Sequence, residues 1–339
     1  MKHTRTPVML DRRRATALLL ATAAGSVIAQ PAWPDKAVRI IVPTAAGSGS
    51  DLIARVIAQR LAEAWKQPVL VDNRAGASGV LGVDAVVKAA PDGHTLLMTS
   101  ASPVVINPLV MRKLPHDPRT QLVPVSHVGI AQAALLIHGE LPARNLQEFV
   151  ALARSRPRQL SYGSFGVGTG GHLGVEAFNQ AAGIELVHVP YKGTGPALND
   201  LIGGQISALL VDMANAQNHV KSGKLRALAI NGPKRSALLP DVPTFTELGF
   251  AGVEGTYARF GVLAPTGTPQ AVIERISRDL TAVLTDPAIQ DRFRPAGYDL
   301  YGSTPAQMGQ MLRDDGERWG KVITALGGLA QVALKLFGG

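Results

Sequence analysis

The sequence predicts an α/β protein of two domains, and three observations carry that prediction. Strand-like and helix-like patterns alternate past residue 30, which calls for largely parallel sheets. The 339 residues exceed one ordinary domain, and 46% hydrophobic content suffices for substantial cores. Two glycine- and serine-rich turns, Pro43–Asp51 and Gly163–Gly171, each follow a short apolar run and precede a helical pattern. Such a turn aims free backbone N–H groups and the positive end of a helix dipole at one spot, which makes an anion site.

The chain opens on a stretch that reads as a secretory signal. Arg12, Arg13 and Arg14 form a basic start, and Ala15 to Ala29 carries no charge. Val27-Ile28-Ala29 offers a cleavage site before Gln30. An uncharged run of this length is short for a membrane span. The twin-arginine motif is only incompletely matched. Residues 1–29 hold Lys2, Arg5, Arg12, Arg13 and Arg14 against Asp11, so +5 of the formal +9 charge remains after cleavage.

The elements follow in order. Val38–Val42 is a buried strand, and Asp51–Lys66 is a helix with Leu52, Ile53, Val56, Ile57 and Leu61 on one face. Val69–Val71 is a second strand. Val80–Ala90 is a helix stopped by Pro91-Asp92-Gly93, and Thr95–Met98 is a third strand. Residues 101–124 are proline-rich and read as irregular. Strands resume at Val125–Gly129 and Ala134–Ile137, and Asn145 with Glu148 caps a helix to about Arg156. Leu160–Tyr162 leads into the second turn. A helix to Ala182, a strand at Leu186–Val189, a helix at Pro196–Ile202 and strands at Ala208–Val211 and Lys224–Ile230 follow. The last third reads as helical, with starts at Thr268-Pro269, Asp286-Pro287 and Thr304-Pro305. The last of these helices carries Met308, Met311, Leu312, Trp319, Val322, Ile323 and Leu326 on one face. With no internal repeat and no flexible linker, the middle of the chain reads as an insertion between two parts of the first domain.

Several functions are excluded or weakened. Zero cysteines remove disulfides, thiolate metal sites and a cysteine nucleophile. No long Lys/Arg run survives in the mature chain, so nucleic acid is not an expected partner. The histidines show no ligand spacing, so no metal and no cofactor are expected. Gly166–Gly171 fits the dinucleotide pattern, but Glu185 precedes the next strand, whereas a ribose-binding acid follows it. Ser164 lacks the nucleophile elbow, because Tyr162 stands at its first glycine position. Ser164 therefore reads as a donor in an anion-binding turn. The rival reading is an exported hydrolase using Ser164 with His172. Asp51 reads as a helix cap or first-turn acid, since an acid facing an anion repels it.

These segments resemble a known family. Val42–Arg55, Asn73–Gly79, Ala90–Leu97, Tyr162–Leu173 and His188–Gly193 each resemble one of its motifs. Gly223–Ala229, Leu239–Thr244 and Ala264–Pro269 complete the series, over about residues 33–325. The family is the Bug (Bordetella uptake gene) receptors, which serve tripartite tricarboxylate transporters. The resemblance implies a type II periplasmic-binding-protein fold, with two α/β domains, a central cleft and crossing hinge strands. It implies that one loop, Thr44, Ala45, Ala46, Gly47, Ser48, Gly49 and Ser50, grips a ligand carboxylate with backbone N–H groups. The opposing loop is Ser164, Phe165, Gly166, Gly168 and Thr169, and Ser100 is counted with the site. Thr44 stands where an aromatic residue is usual. Arg259 replaces a usual tryptophan and either pairs with a second ligand carboxylate or lies solvated at the surface. Asp212 either receives a ligand ammonium or hydroxyl, or caps the helix after it. The apolar tail Val332–Phe337 aligns with nothing.

The expectation is thus a monomeric periplasmic receptor that binds a small carboxylate, converts nothing, and delivers it to membrane transporter subunits. A solute sensor shares the same cleft. The expected division is residues 1–29 as signal, 30–130 and 227–339 as the first domain, and 131–226 as the second.

Overall fold

Strand β1 (Val38–Val42) is built from branched aliphatic residues, and all but Arg39 are buried. It opens a computed structural model that describes residues 33–111, 113–250, 252–253 and 256–325. The expected signal and its cleavage point, Leu326 and the tail Val332–Phe337 lie outside the described residues. From Lys36 on, the chain forms one unit.

Helix α1 (Gly49–Trp65) follows β1, then β2 (Val69–Asn73), α2 (Val80–Val87) and β3 (Thr95–Ser100). The stretch expected to be irregular holds a π-helical turn at Ser102–Ile106, then α3 (Asn107–Val110) and α4 (Pro118–Gln121). β4 (Leu122–Ala131) and β5 (Ala133–His138) come next, then α5 (Leu146–Ser155) and β6 (Ser161–Ser164). α6 (Gly170–Ala182), β7 (Val187–Pro190), α7 (Thr194–Ile202), β8 (Ala208–Asp212), α8 (Met213–Lys221) and β9 (Leu225–Ile230) follow. The chain continues through β10 (Ala258–Pro265), α9 (Gln270–Leu284), α10 (Pro287–Phe293), β11 (Tyr298–Leu300) and α11 (Pro305–Ala325).

Two sheets result. The first runs β11-β4-β10-β3-β1-β2 and the second β7-β6-β8-β5-β9. Neither is as parallel as the strand–helix alternation predicts. β1 is parallel to β2 and β3, and β6 is parallel to β7 and β8. β10 is antiparallel to β3 and β4, β11 to β4, and β5 to both β8 and β9. The antiparallel pairs involve the strands that pass between sheets, which enter from the far side. β10 and β11 lie in the third expected to be helical. Gly261 and Pro265 break up the pattern of β10, and β11 is three residues long.

The sheets are joined twice. β4 ends at Ala131 and β5 begins at Ala133, so Gln132 alone separates them. The return comes after Ile230, because β9 pairs with β5 in the second sheet; the expected boundary at 226/227 falls inside this strand. Asn231, fully buried, ties both passages together. Its Oδ1 accepts from the Ala133 N–H at 2.7 Å, and its Nδ2 donates to Thr256 Oγ1 at 3.2 Å.

Helix ends follow the sequence signals with one change. Asp286 accepts from the Ala288 N–H at 2.9 Å, and Thr304 and Gln307 form a reciprocal capping pair before α11. Pro269 is itself the cap of α9, whereas the sequence pattern puts it at the first helical position. Thr268 Oγ1 turns back to donate to the Pro265 carbonyl. Phe149, Tyr162, Phe178 and Phe245 lie in the core against one face of the second sheet. Ile41, Leu97, Met308, Trp319 and Ile323 centre the core under the first sheet, and Leu173 of α6 joins that cluster. Val167 of the second glycine-rich turn packs against it too.

Candidate functional site

Parallel strands place loops from their C-terminal ends on one side of a sheet. The Thr44–Ser50 turn leaves β1, and Ser100 ends the adjacent β3. The Ser164–Thr169 turn leaves β6, and Asp212 ends the adjacent β8. Four of the expected site segments therefore stand at the carboxyl ends of neighbouring strands, two per sheet.

The first turn is braced by Asp51, which is only 2% exposed. Asp51 Oδ2 accepts from the Gly47 N–H at 2.8 Å and from Arg55 Nε at 3.0 Å, and Oδ1 accepts from Asn73 Nδ2 at 2.9 Å. Burial acts to raise its pKa, but these bonds outweigh it and hold the carboxyl below the ordinary value of 3.8. Asp51 is the first-turn acid of α1 rather than its cap, and its carboxylate is not open to an anion. Ser48 is the cap, accepting from the Asp51 N–H at 3.3 Å, and its hydroxyl lies 2.6 Å from that of Thr44. Asn73 also donates to the Thr44 carbonyl at 3.2 Å. The Gly47 N–H is consequently occupied. Those of Ala45, Ala46, Gly49 and Ser50 have no hydrogen-bond partner among the described residues.

The second turn stands on imidazoles. Ser164, fully buried, places Oγ 2.7 Å from His188 Nε2, 3.0 Å from the Gly166 carbonyl and 3.3 Å from the Gly166 N–H. The His172 ring stacks on His188 with centroids 3.9 Å apart, and His188 stacks on Tyr162 at 5.0 Å. His172 Nδ1 accepts from the Gly168 N–H at 3.2 Å. His172 thus serves the turn, and the histidine beside Ser164 is His188. Burial lowers the His188 pKa to about 4. Gly166 adopts φ 146°, open to glycine alone. Thr169 precedes α6 without capping it, because its hydroxyl donates to the Gly166 carbonyl at 2.7 Å. The N–H groups of Phe165, Val167, Gly170 and Gly171 have no hydrogen-bond partner among the described residues.

Arg259 is neither solvated nor free. It bonds Asp315 of α11 and donates to Tyr257 Oη at 2.8 Å, with its side chain 15% exposed. Arg318 reaches the same carboxylate. Burial raises the Asp315 pKa against the pull of both arginines. A small pocket bounded by Ser100, Arg259 and Asp315 lies behind this pair.

Sequence reasoning did not assign a role to Asn73, Arg55, His188 or Tyr298. The first three stand in the quoted motifs, which was their only signal. Tyr298 has none. It is 5% exposed and lies over Gly49, where a Cβ would meet its Oη at 2.6 Å.

Two linked α/β sheets, each with an N–H-rich turn at the carboxyl end of a parallel strand, have the architecture of periplasmic solute-binding proteins. The tripartite tricarboxylate transporter family receptor model matches residues 53–328. The chain belongs to that family. Protein BugT of Bordetella pertussis is 35% identical over 312 residues, covering 91% of this chain and 95% of that one. R. palustris Rpa4515 with adipate superposes with a TM-score of 0.81 at 32% identity, covering 87% of this chain and 99% of that one. MatC from Rhodopseudomonas palustris with bound malate gives a TM-score of 0.76 at 28% identity, covering 86% and 99%. The type II periplasmic-binding fold is the architecture shared by this set.

Proposed function

We propose that this protein is a periplasmic receptor that holds a small organic carboxylate between the turns at 44–50 and 164–169 and passes it to a tripartite transporter. The observation that carries the reading is the pair of turns themselves. Each has backbone N–H groups without a hydrogen-bond partner among the described residues, at the start of a helix of more than two turns, beside the other expected site positions. Family membership gives the class, and the adipate and malate of its neighbours give the ligand chemistry. Ser100 and Asp212 border the grip from the neighbouring strands. The two sheets act as lobes that close on the ligand as a monomer. Export by a cleaved leader fits this role, and no helix among the described residues is long and apolar enough to cross a membrane.

The protein works without turnover in this reading. Ser164 is fully buried and its hydroxyl already bonds the turn, which makes it a brace. A thermal-shift screen against a panel of organic acids tests both halves. One or a few acids should raise the melting temperature by mass action and be recovered unchanged. An acid that is consumed, with consumption lost in Ser164→Ala, overturns the receptor reading.

A further inference from the structure

Tyr298 opens β11, the edge strand of the first sheet, where it pairs with Ala131 at the end of β4. It therefore belongs to the lobe that carries the first turn. The residue before it, Gly297, packs on Met213 at the start of α8, which sets Tyr298 beside the second lobe. From there the side chain reaches the first turn, and its Oη lies over Gly49, the first residue of α1. Phe293 holds the ring edge-on at 5.9 Å, and Phe260 holds it at 6.0 Å. The phenol is 5% exposed, and its hydroxyl has no hydrogen-bond partner among the described residues.

Two unsatisfied features meet at this point. The N–H groups of Gly49 and Ser50 open a helix of 17 residues and have no hydrogen-bond partner among the described residues. The buried hydroxyl beside them lacks one too, and a buried polar group without a partner is costly. Burial, and after it the charge of Asp212, raises the ionisation of the phenol above its ordinary 10, so the hydroxyl keeps a proton to give. Donors that converge without an acceptor suit an anion. Gly49 makes room for this arrangement. Its φ is not left-handed, so the glycine supplies space rather than backbone freedom. A Cβ there would meet Tyr298 Oη at 2.6 Å and the ring at 3.2 Å. We propose that Tyr298 is a ligand-binding residue whose hydroxyl donates to the carboxylate gripped by the first turn. This rests on the receptor reading above and adds a side-chain donor to its backbone grip. Because Tyr298 and the first turn share one sheet, the donor is in place whatever the angle between the lobes.

Calorimetric titration with succinate, malate and adipate tests the proposal in the wild type, Tyr298→Phe, Gly49→Ala and the double variant. Tyr298→Phe should weaken every acid that the wild type binds by about tenfold or more. Its melting temperature without ligand should hold or rise, because the change removes only a buried, unpaired hydroxyl. Gly49→Ala should weaken the same acids by displacing the phenol, and should cost little more once Tyr298 is Phe. Wild-type affinity in Tyr298→Phe overturns the proposal and leaves the receptor reading standing. So do losses that add in full in the double variant, or a melting temperature in Tyr298→Phe that falls along with affinity, since either marks a packing residue. Silence from the wild type with all three acids overturns the carboxylate reading, and this proposal with it.

Discussion

The two turns expose the same groups, backbone N–H, but are built in opposite ways. The first is held from behind by a buried anion, with Arg55 and Asn73 completing the brace. The second is held by a stack of rings, Tyr162, His188 and His172. Ser48 caps the first helix with its side chain, whereas Thr169 leaves the second helix uncapped. The difference teaches that a backbone anion site specifies its N–H groups and leaves its scaffold free. A buried carboxylate behind the first turn is tolerated because it is saturated by donors on its own side.

The largest break in this comparison is Asp51→Ala. It leaves the Gly47 N–H without its partner, takes one acceptor from the half-buried Asn73 amide and leaves Arg55 with Asn73 alone. Stability should fall by about 3 kcal/mol, and affinity for every acid should fall together. Urea unfolding and ligand titration read the two effects. A variant of unchanged stability would show that the first turn holds itself.

Ser164→Ala should come next, at about 1–2 kcal/mol, since the Gly166 N–H and His188 each lose a partner. The losses from the two substitutions should add in the double variant, because the braces share no partner. Strong non-additivity would mean that the turns support each other without ligand.

Acid sharpens the contrast with the smallest effect. The folded His188 takes a proton only near pH 4, while an unfolded histidine takes it near 6.5. The unfolded chain therefore binds the extra proton first, and stability is lost as pH falls from about 6.5 to about 4. His127, also lowered to about 4 by burial and by Arg259, adds to the same window. Asp51 behaves differently. Its depressed pKa contributes stability that is complete above its ordinary 3.8 and is lost only as pH falls through its lower folded value. The urea midpoint should decline from pH 7 to 4, and less steeply in His188→Gln. An identical slope in that variant would remove His188 from the account.

Much of the first turn's position was legible in the sequence. A branched aliphatic run, Gly47-Ser48-Gly49 and an amphipathic helix each encode local structure through side-chain spacing. The second turn was legible for the same reason. What holds each turn was not. Asn73 sits on a neighbouring strand, 22 residues beyond Asp51, and His188 sits 24 residues beyond Ser164. Those distances close only when parallel strands pair, which no local pattern records. The role of Arg259 was open for a related reason, since Asp315 lies 56 residues away on α11. Tyr298 was invisible because its meaning depends on Gly49, far along the chain, and its own strand spans three residues.

Asn231 has a mechanical consequence. One amide side chain holds the outgoing passage at Ala133 and, through Thr256, the entry to the returning strand. The two passages are therefore a single pivot. Any change in the angle between the sheets loads the same two bonds, and Thr256 also lies close to Gly170 and Gly174 at the start of α6, directly after the second turn. The pivot and the second turn therefore share Thr256 as a neighbour, and a substitution at the pivot is felt at both.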